Sequence, residues 1–118
     1  MKYLCMIYLE EKRLDSLTKS ESATLDRESL AYDEELRKSG HFIVAQALQP
    51  VRTAATVRTR NGKVSTTDGP FAETKEQLGG FILIEARDLN EAIQLASRIP
   101  VGRLGAVEVR PIKELQRP

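Results

Sequence analysis

The stretch TTDGPFAETKEQLGGF, from Thr66 to Phe81, concentrates residues that could do chemistry. It contains Asp68 beside a glycine and a proline, followed by Glu73, Lys75 and Glu76. As part of a turn, the Asp68 carboxylate would accept backbone N–H bonds. As a general base at the rim of a cleft, it would take a proton from a substrate or orient a water. Both interpretations of Asp68 stay open, and it is the candidate catalytic residue of the chain.

Three further residues are candidates for binding a ligand. Arg58 alternates with Arg60 on one face of a predicted hairpin, and its guanidinium suits a small anion such as a carboxylate. Alternatively, that face is exposed to solvent. His41 follows Gly40 where a helix should give way to a strand, so it either caps the helix or belongs to a site. Phe71 is expected to anchor its loop in the core, with a place in a pocket wall as the alternative.

Glu73 and Lys75 complete the set of candidate binding residues, and three interpretations of them stay open. The segment ETKE can be a solvated turn of helix that Gly79 and Gly80 end. It can also form a salt-bridge network across a dimer interface, or line a small polar cavity. The sequence does not separate these interpretations.

The composition predicts one soluble domain over residues 1–118. The net charge of +1 argues against a nucleic-acid partner, which needs clustered cations.

Cys5 is the only cysteine and lies in an apolar run, so it is expected to pack as a small hydrophobe rather than act as a nucleophile. One histidine and one cysteine predict no metal site, and no cofactor motif is present. The chain lacks a signal pattern and an apolar run of membrane-spanning length, which predicts a cytoplasmic protein.

The N-terminal half predicts a strand, a helix and a second strand. Lys2–Leu9 alternates apolar residues on both faces, which is typical of a strand covered on both sides. The motif TKSE at Thr18–Glu21 resembles a capping box, and it predicts a helix over Ser20–Ser39 that Gly40 ends. HFIVAQAL, His41–Leu48, is the second strand.

The C-terminal half predicts a hairpin and a second strand–helix–strand unit. Asn61-Gly62 suits a type I′ turn between strands Ala54–Arg60 and Lys63–Thr66. A strand at Gly80–Ala86 precedes a helix that Asp88 or Asn90 caps and Pro100 ends. The final strand, Gly105–Ile112, should lie at an edge because it contains Pro111. The core positions predicted for the helix are Leu89, Ile93 and Ala96.

This order predicts an α+β fold of the ferredoxin-like type, with an antiparallel sheet and an inserted hairpin. Both predicted helices then cover one face of the sheet. The strands Lys2–Leu9 and Gly80–Ala86 are apolar on both faces, so the second face also needs a cover. We therefore expect a homodimer that packs sheet against sheet.

The chain resembles the DGPF family within the YCII-related proteins. The resemblance rests on DGPFAETKEQLGGF and on YDEELRKSG, AQALQP, TAATVR, RIP and GAVEVRPI, from Tyr3 to about Ile112. It implies a fold of the dimeric α/β-barrel group and a bacterial, cytoplasmic origin. Genes of DGPF proteins often neighbour genes of extracytoplasmic-function sigma factors, which implies regulatory or stress-linked roles.

Some YCII-related relatives resemble lyases or dehydrochlorinases that use a His–Asp pair. Their histidine lies near the start of the first helix, where this chain has SESATLDRESLAYD and no histidine. The resemblance therefore carries no catalytic histidine onto this chain, and only Asp68 remains as a match for the aspartate.

Two functions are expected from these observations. The first is a small-molecule binding or accessory module with a regulatory role connected to sigma-factor signalling. The alternative is a lyase- or hydrolase-type enzyme that acts on a small anionic substrate, with Asp68 as the base and Arg58 or Lys75 as the anion-binding residue. A dimerising scaffold without a pocket is a third, purely structural alternative.

Overall fold

The computed structural model describes residues 1–118, which form six strands and three helices. The strands are β1 (Lys2–Leu9), β2 (Phe42–Ala47), β3 (Ala55–Arg60), β4 (Lys63–Asp68), β5 (Gln77–Glu85) and β6 (Gly105–Pro111). The helices are α1 (Glu11–Asp15), α2 (Lys19–Lys38) and α3 (Leu89–Ala96), with short 3-10 turns at Val51–Thr53 and Pro100–Leu104. The short α1 lies between the first predicted strand and the first predicted helix, where the sequence predicted no element. No helix is both long enough and apolar enough to span a bilayer.

Four strands form one antiparallel sheet in the order β2-β5-β1-β6. With the two long helices between its strands, this is the ferredoxin-like α+β fold that the sequence predicted. The edge position of β6 also agrees with Pro111 in that strand. Strands β3 and β4 pair only with each other and form a separate hairpin.

Both ends of α2 are fixed by the local interactions that the sequence predicted. At the start, the Glu21 N–H donates to the Thr18 hydroxyl (3.1 Å), and the Thr18 N–H donates to the Glu21 carboxylate (2.8 Å). At the end, Gly40 has a φ of +82°. The N–H groups of Gly40 and His41 donate to the carbonyls of Arg37 and Leu36, which is the Schellman pattern.

Helix α3 packs on a different face from the one that the sequence predicted. Ala96 is buried as expected, but Leu89 and Ile93 are 47% and 50% exposed, so their prediction as core residues is wrong. Ala92 and Leu95 are buried instead. The face with two alanines lets α3 lie close to the sheet, and Leu89 and Ile93 flank that contact.

The core lies between the helices and one face of the four-stranded sheet. Its buried members are Tyr3, Cys5, Ile7, Leu9, Ile82, Ile84 and Ala86 from the sheet and its ends, Tyr32 and Leu36 from α2, Ala92, Leu95 and Ala96 from α3, and Ile99. Alternate residues of β1 and β5 point into this layer, as the period of two requires.

The other face of the sheet has no covering element in the chain. Leu4, Met6 and Tyr8 of β1 and Phe81 and Leu83 of β5 are only half-buried there, and we call these five residues the open face. The molecule is 18 Å thick across its shortest dimension and 48 Å along its longest. Its radius of gyration of 16.3 Å exceeds the value of about 13–14 Å expected for a compact chain of this length.

The hairpin turn has the predicted conformation, with φ values of +52° at Asn61 and +76° at Gly62. Every residue of β4 is exposed, and β4 continues to Asp68, beyond the predicted end at Thr66. Val57 and Val64 are also exposed, at 62% and 67%. The hairpin therefore extends from the body of the domain and contributes little to the core.

Strand β5 begins earlier than predicted and contains the glycine pair. Gly79 is the extra residue of a β-bulge, because Ile7 pairs with Gly80 while Tyr8 pairs with Leu78. A Cβ atom on Gly80 would lie 2.9 Å from the backbone oxygen of Gln46 in β2. The glycines thus allow a bulge and a close approach of two strands, and the prediction that they end a helical turn is wrong.

Candidate functional site

Asp68 lies at the end of β4 with its side chain exposed and without a hydrogen bond or ion pair. The turn after it is held by other groups. The Gly69 N–H donates to the Ala54 carbonyl (2.8 Å), and the Thr56 hydroxyl donates to the Gly69 carbonyl (2.9 Å). Gly69 itself has a φ of +104°. The Asp68 carboxylate therefore makes no Asx turn, and it lines none of the three cavities described below.

Phe71 does not anchor its loop in the core, because 78% of the residue is exposed. The prediction failed because the hairpin carries this loop away from the helix–sheet layer. The Arg58 guanidinium lies 5.3 Å from the centroid of the Phe71 ring, which is a cation–π geometry. Arg58 and Phe71 are thus brought together, while Arg60 on the same hairpin face is exposed.

Glu73 and Lys75 are exposed and make no ion pair within the chain. Their segment is not helical. Its backbone is held by the Thr74 hydroxyl, which donates to the Glu76 carbonyl (2.6 Å), and by the Gln77 amide, which donates to the carbonyls of Ala72 and Thr74. The salt-bridge network across a dimer stays a prediction.

His41 is remote from the 68–76 loop. Its imidazole Nδ1 bonds to the Glu85 carbonyl (2.8 Å), and a carbonyl only accepts, so Nδ1 carries the proton. Its backbone, rather than its side chain, caps α2. His41 lies beside the end of β5, whereas the loop joins the beginning of that strand at Gln77. The predicted site residues therefore do not form one cluster in a single chain.

A different group of residues surrounds a cavity of about 370 Å³ between α2 and the sheet, which we call the α2 cavity. Its wall from the sheet includes Gly80, which lacks a side chain where its neighbours on the same face carry isoleucines. Leu30, which is largely exposed, lies at its mouth. Further apolar lining residues are Ile7, Ala45, Ala47, Ile82, Ile99, Pro100 and Val101.

The polar wall of the α2 cavity comes mainly from one face of α2. Asp26, Ser29 and Asp33 recur at the spacing that aligns side chains along a helix. Asp33 is half-buried and has no hydrogen bond or ion pair within the chain. Burial raises the pKa of the Asp33 carboxyl, and the positive charge of Arg37 offsets part of that rise.

Neighbouring groups of the α2 cavity are already engaged elsewhere. The Tyr32 hydroxyl donates to the Leu95 carbonyl (2.6 Å), so Tyr32 joins α2 to α3 and offers no free hydroxyl. Arg37 forms an ion pair with Glu34 and lies 4.4 Å from the centroid of the Phe42 ring. Asp33 is therefore a half-buried charged group of this site that lacks a partner, and it is the one whose carboxylate would lose hydration there.

Two other cavities are less suited to a specific site. One of about 470 Å³ lies between α3 and β6 and is almost entirely apolar, with Leu89, Ile93 and Val109 in its wall. Its hydroxyl, on Ser97, already donates to the Gln94 carbonyl. The other, of about 290 Å³, contains Glu28 and Arg103, which form a two-bonded ion pair with each other.

The α2 cavity was not predicted from the sequence. Neither Asp26 nor Asp33 was among the candidate site residues. The available signal was the repetition of Asp26, Ser29 and Asp33 beside the core stripe of Leu25, Tyr32 and Leu36. The spacing alone could not show that Gly80 leaves space opposite that stripe.

Comparison with known proteins identifies the family of the chain. The model of the YCII-related domain family matches residues 1–116 of the chain. An uncharacterised protein of Rhizobium meliloti (strain 1021) is 35% identical over 114 residues, which cover 95% of this chain and 92% of that relative. Since the relative is uncharacterised, its similarity to this chain does not indicate an activity. The chain belongs to the YCII-related domain family.

Proposed function

We propose that this protein is a small-molecule binding module whose ligand occupies the α2 cavity. The observation that carries the proposal is Asp33, a half-buried carboxyl without a partner in an otherwise largely apolar cavity of about 370 Å³. Ligand sites typically combine this volume with an apolar lining and a few convergent polar groups. A regulatory role, which the DGPF resemblance implies, would be exercised through such binding. Assignment to the DGPF subfamily rests on the motif from Asp68 to Phe81.

The proposal includes a cytoplasmic homodimer that packs the open faces of two copies together. The open face groups five large apolar side chains on β1 and β5, and no element of the chain covers them. A contiguous apolar surface of this kind is unusual on a monomer. A second copy supplies a cover of matching shape and polarity because it has the same sheet.

The alternative function is a lyase- or hydrolase-type enzyme. One observation favours chemistry at the α2 cavity: burial raises the pKa of Asp33, and a raised pKa makes a carboxyl a better proton acceptor. The version with Asp68 as the base and Arg58 or Lys75 as the anion-binding residue requires a second copy to enclose the 68–76 loop. In the single chain, Asp68 and Lys75 face solvent.

A fragment screen by thermal shift tests the binding proposal. Ser29→Leu places a larger apolar side chain in the α2 cavity and keeps a good helix former on α2. Ser22→Leu makes the same change at an exposed position of the same helix and serves as the control. We expect fragments that stabilise the wild type and Ser22→Leu but not Ser29→Leu. Fragments that stabilise all three proteins equally would place binding elsewhere.

A further inference from the structure

We propose that the α2 cavity takes a protonated amine with an apolar body, and that Asp33 binds its ammonium group. This inference rests on the proposed function and names the ligand class for the same site. The charged side chains that line the cavity are both acidic, Asp26 and Asp33. No lysine, arginine or histidine lines it, so nothing in its wall would neutralise an anion.

Asp33 is the group that selects for charge. A carboxylate that is removed from water without a partner is unfavourable, and a nearby cation reverses that penalty. The neighbouring Arg37 does not supply this cation as an ion pair, since it pairs with Glu34 and lies against Phe42. An ammonium group that enters the cavity would supply it.

The remaining walls define the rest of the ligand. Ile7, Ile82, Ile99 and Val101 offer apolar surface, which suits a hydrocarbon ring or chain attached to the amine. Asp26 lies seven residues before Asp33, which is about 10 Å along the helix, so one ammonium group does not contact both carboxylates. Asp26 is exposed and adds to the negative potential at the mouth.

Three matched probes test the charge preference: cyclohexylmethylamine, cyclohexylmethanol and cyclohexanecarboxylate. Their affinities are measured by calorimetry for the wild type, Asp33→Asn and the control Asp15→Asn. Asp15 is an exposed acid at the end of α1, outside the α2 cavity. In the wild type, we expect the amine to bind at least about tenfold more tightly than the alcohol. The reason is that hydrogen bonds to charged groups are stronger than hydrogen bonds between neutral groups. The carboxylate should bind most weakly.

The variants and the pH dependence then test whether Asp33 causes the preference for the amine. Asp33→Asn should abolish the preference for the amine, and Asp15→Asn should preserve it. In the wild type, amine affinity should fall as the pH is lowered through the pKa of Asp33, because the protonated carboxyl loses its charge while the amine keeps its own. In Asp33→Asn this pH dependence should be absent.

The outcomes distinguish this inference from the proposed function. Equal binding of alcohol and amine to the wild type, or an amine preference that persists in Asp33→Asn, overturns the ligand class and leaves the binding module intact. The same holds if screened fragments bind the α2 cavity while the amine does not. If no fragment of any charge binds there, the proposed function and this inference are both wrong.

Discussion

Asp33 is the residue on which the functional proposal depends. Its effect on the stability of the protein can be measured without a ligand. It lies on α2 between the core residue Tyr32 and the exposed Glu34, half-buried and without an internal partner. Burial favours the neutral form of a carboxyl, and this is the main cause of its raised pKa. A half-buried carboxyl without an internal partner does not stabilise the fold, so it is available to bind a ligand.

Asp33→Asn should raise the melting temperature at neutral pH and change it little in strongly acidic solution. The folded chain holds the Asp33 pKa above its unfolded value, about 3.9 for a free side chain. The favourable contribution of the protonated carboxyl is therefore complete below the unfolded pKa and is lost as the pH rises through the folded pKa. Asparagine stays neutral throughout and avoids that loss.

Paired thermal unfolding of the wild type, Asp33→Asn and Asp15→Asn from acidic to neutral pH measures this difference. Asp15→Asn corrects for the general effect of removing one negative charge. A wild type that is more stable than Asp33→Asn at neutral pH would show that the carboxylate has a stabilising partner, and it would contradict the description of the α2 cavity.

Cys5 should be inert in the folded protein. It is 1% exposed, and burial raises the pKa of its thiol to about 11. The thiolate is the reactive form, so little of it exists near neutral pH. An aromatic disulfide reagent at mildly basic pH should label the native chain very slowly and the chain in guanidinium at once. Rapid labelling of the native chain would mean that β1 is not buried as described.

At the scale of the elements, Gly80 controls both the contact of β5 with β2 and the space of the α2 cavity. A Cβ atom there would meet the Gln46 oxygen at 2.9 Å and the Ala47 Cα at 3.3 Å, and both are backbone atoms. The neighbouring Gly79 would meet only the side chain of Leu9, at 3.2 Å. A side chain at position 80 would therefore displace the backbone of β2, whereas a side chain at position 79 would displace only a side chain.

Gly80→Ala should destabilise the protein by about 1–3 kcal/mol, the usual range for overpacking, because β2 has to shift. Gly79→Ala should cost less, since the Leu9 side chain can adjust. Denaturant unfolding of both variants measures the two losses. An equal or larger loss in Gly79→Ala would show that the bulge, rather than the contact with β2, is the tighter constraint.

Local signals in the sequence predicted the ends of α2 and the hairpin turn well, and the packing of loops and helix faces poorly. The capping box at Thr18 and the positive φ values at Asn61 and Gly62 depend only on adjacent residues, so their sequence patterns were sufficient. The prediction for Phe71 failed because an apolar side chain does not show whether its loop folds back on the body, and the prediction for Ile93 failed because α3 packs through its alanine face. The α2 cavity was missed because the spacing of residues on α2 does not show that Gly80 leaves space opposite them.

At the scale of the whole molecule, the sheet separates a covered face from the open face. The helices cover one side, and the molecule is only 18 Å thick, which leaves no room for a further layer. Only 16 of 118 residues are buried, so the single chain has a small core to stabilise it. A second copy on the open face would enlarge the buried apolar surface.

Light scattering at micromolar concentration should therefore give the mass of a dimer. Leu83→Glu places a charge in the open face and should give a folded monomer, because Leu83 faces away from the core. Ile93→Glu makes the same change at an exposed apolar residue of α3 and should remain dimeric. A monomeric wild type would contradict the dimer, and a monomeric Ile93→Glu would move the interface to the helix side.

The most direct test of the central claim is an amide chemical-shift map of the isotope-labelled wild type, titrated with the strongest fragment from the thermal screen. If the α2 cavity is the binding site, the largest changes will fall on Ser29, Asp33, Gly80 and Val101, which line it. The amides of the exposed 68–76 loop should stay unchanged. Changes that centre on that loop, with the chemical shifts of the cavity amides unchanged, would contradict binding in the α2 cavity and would place the site at Asp68.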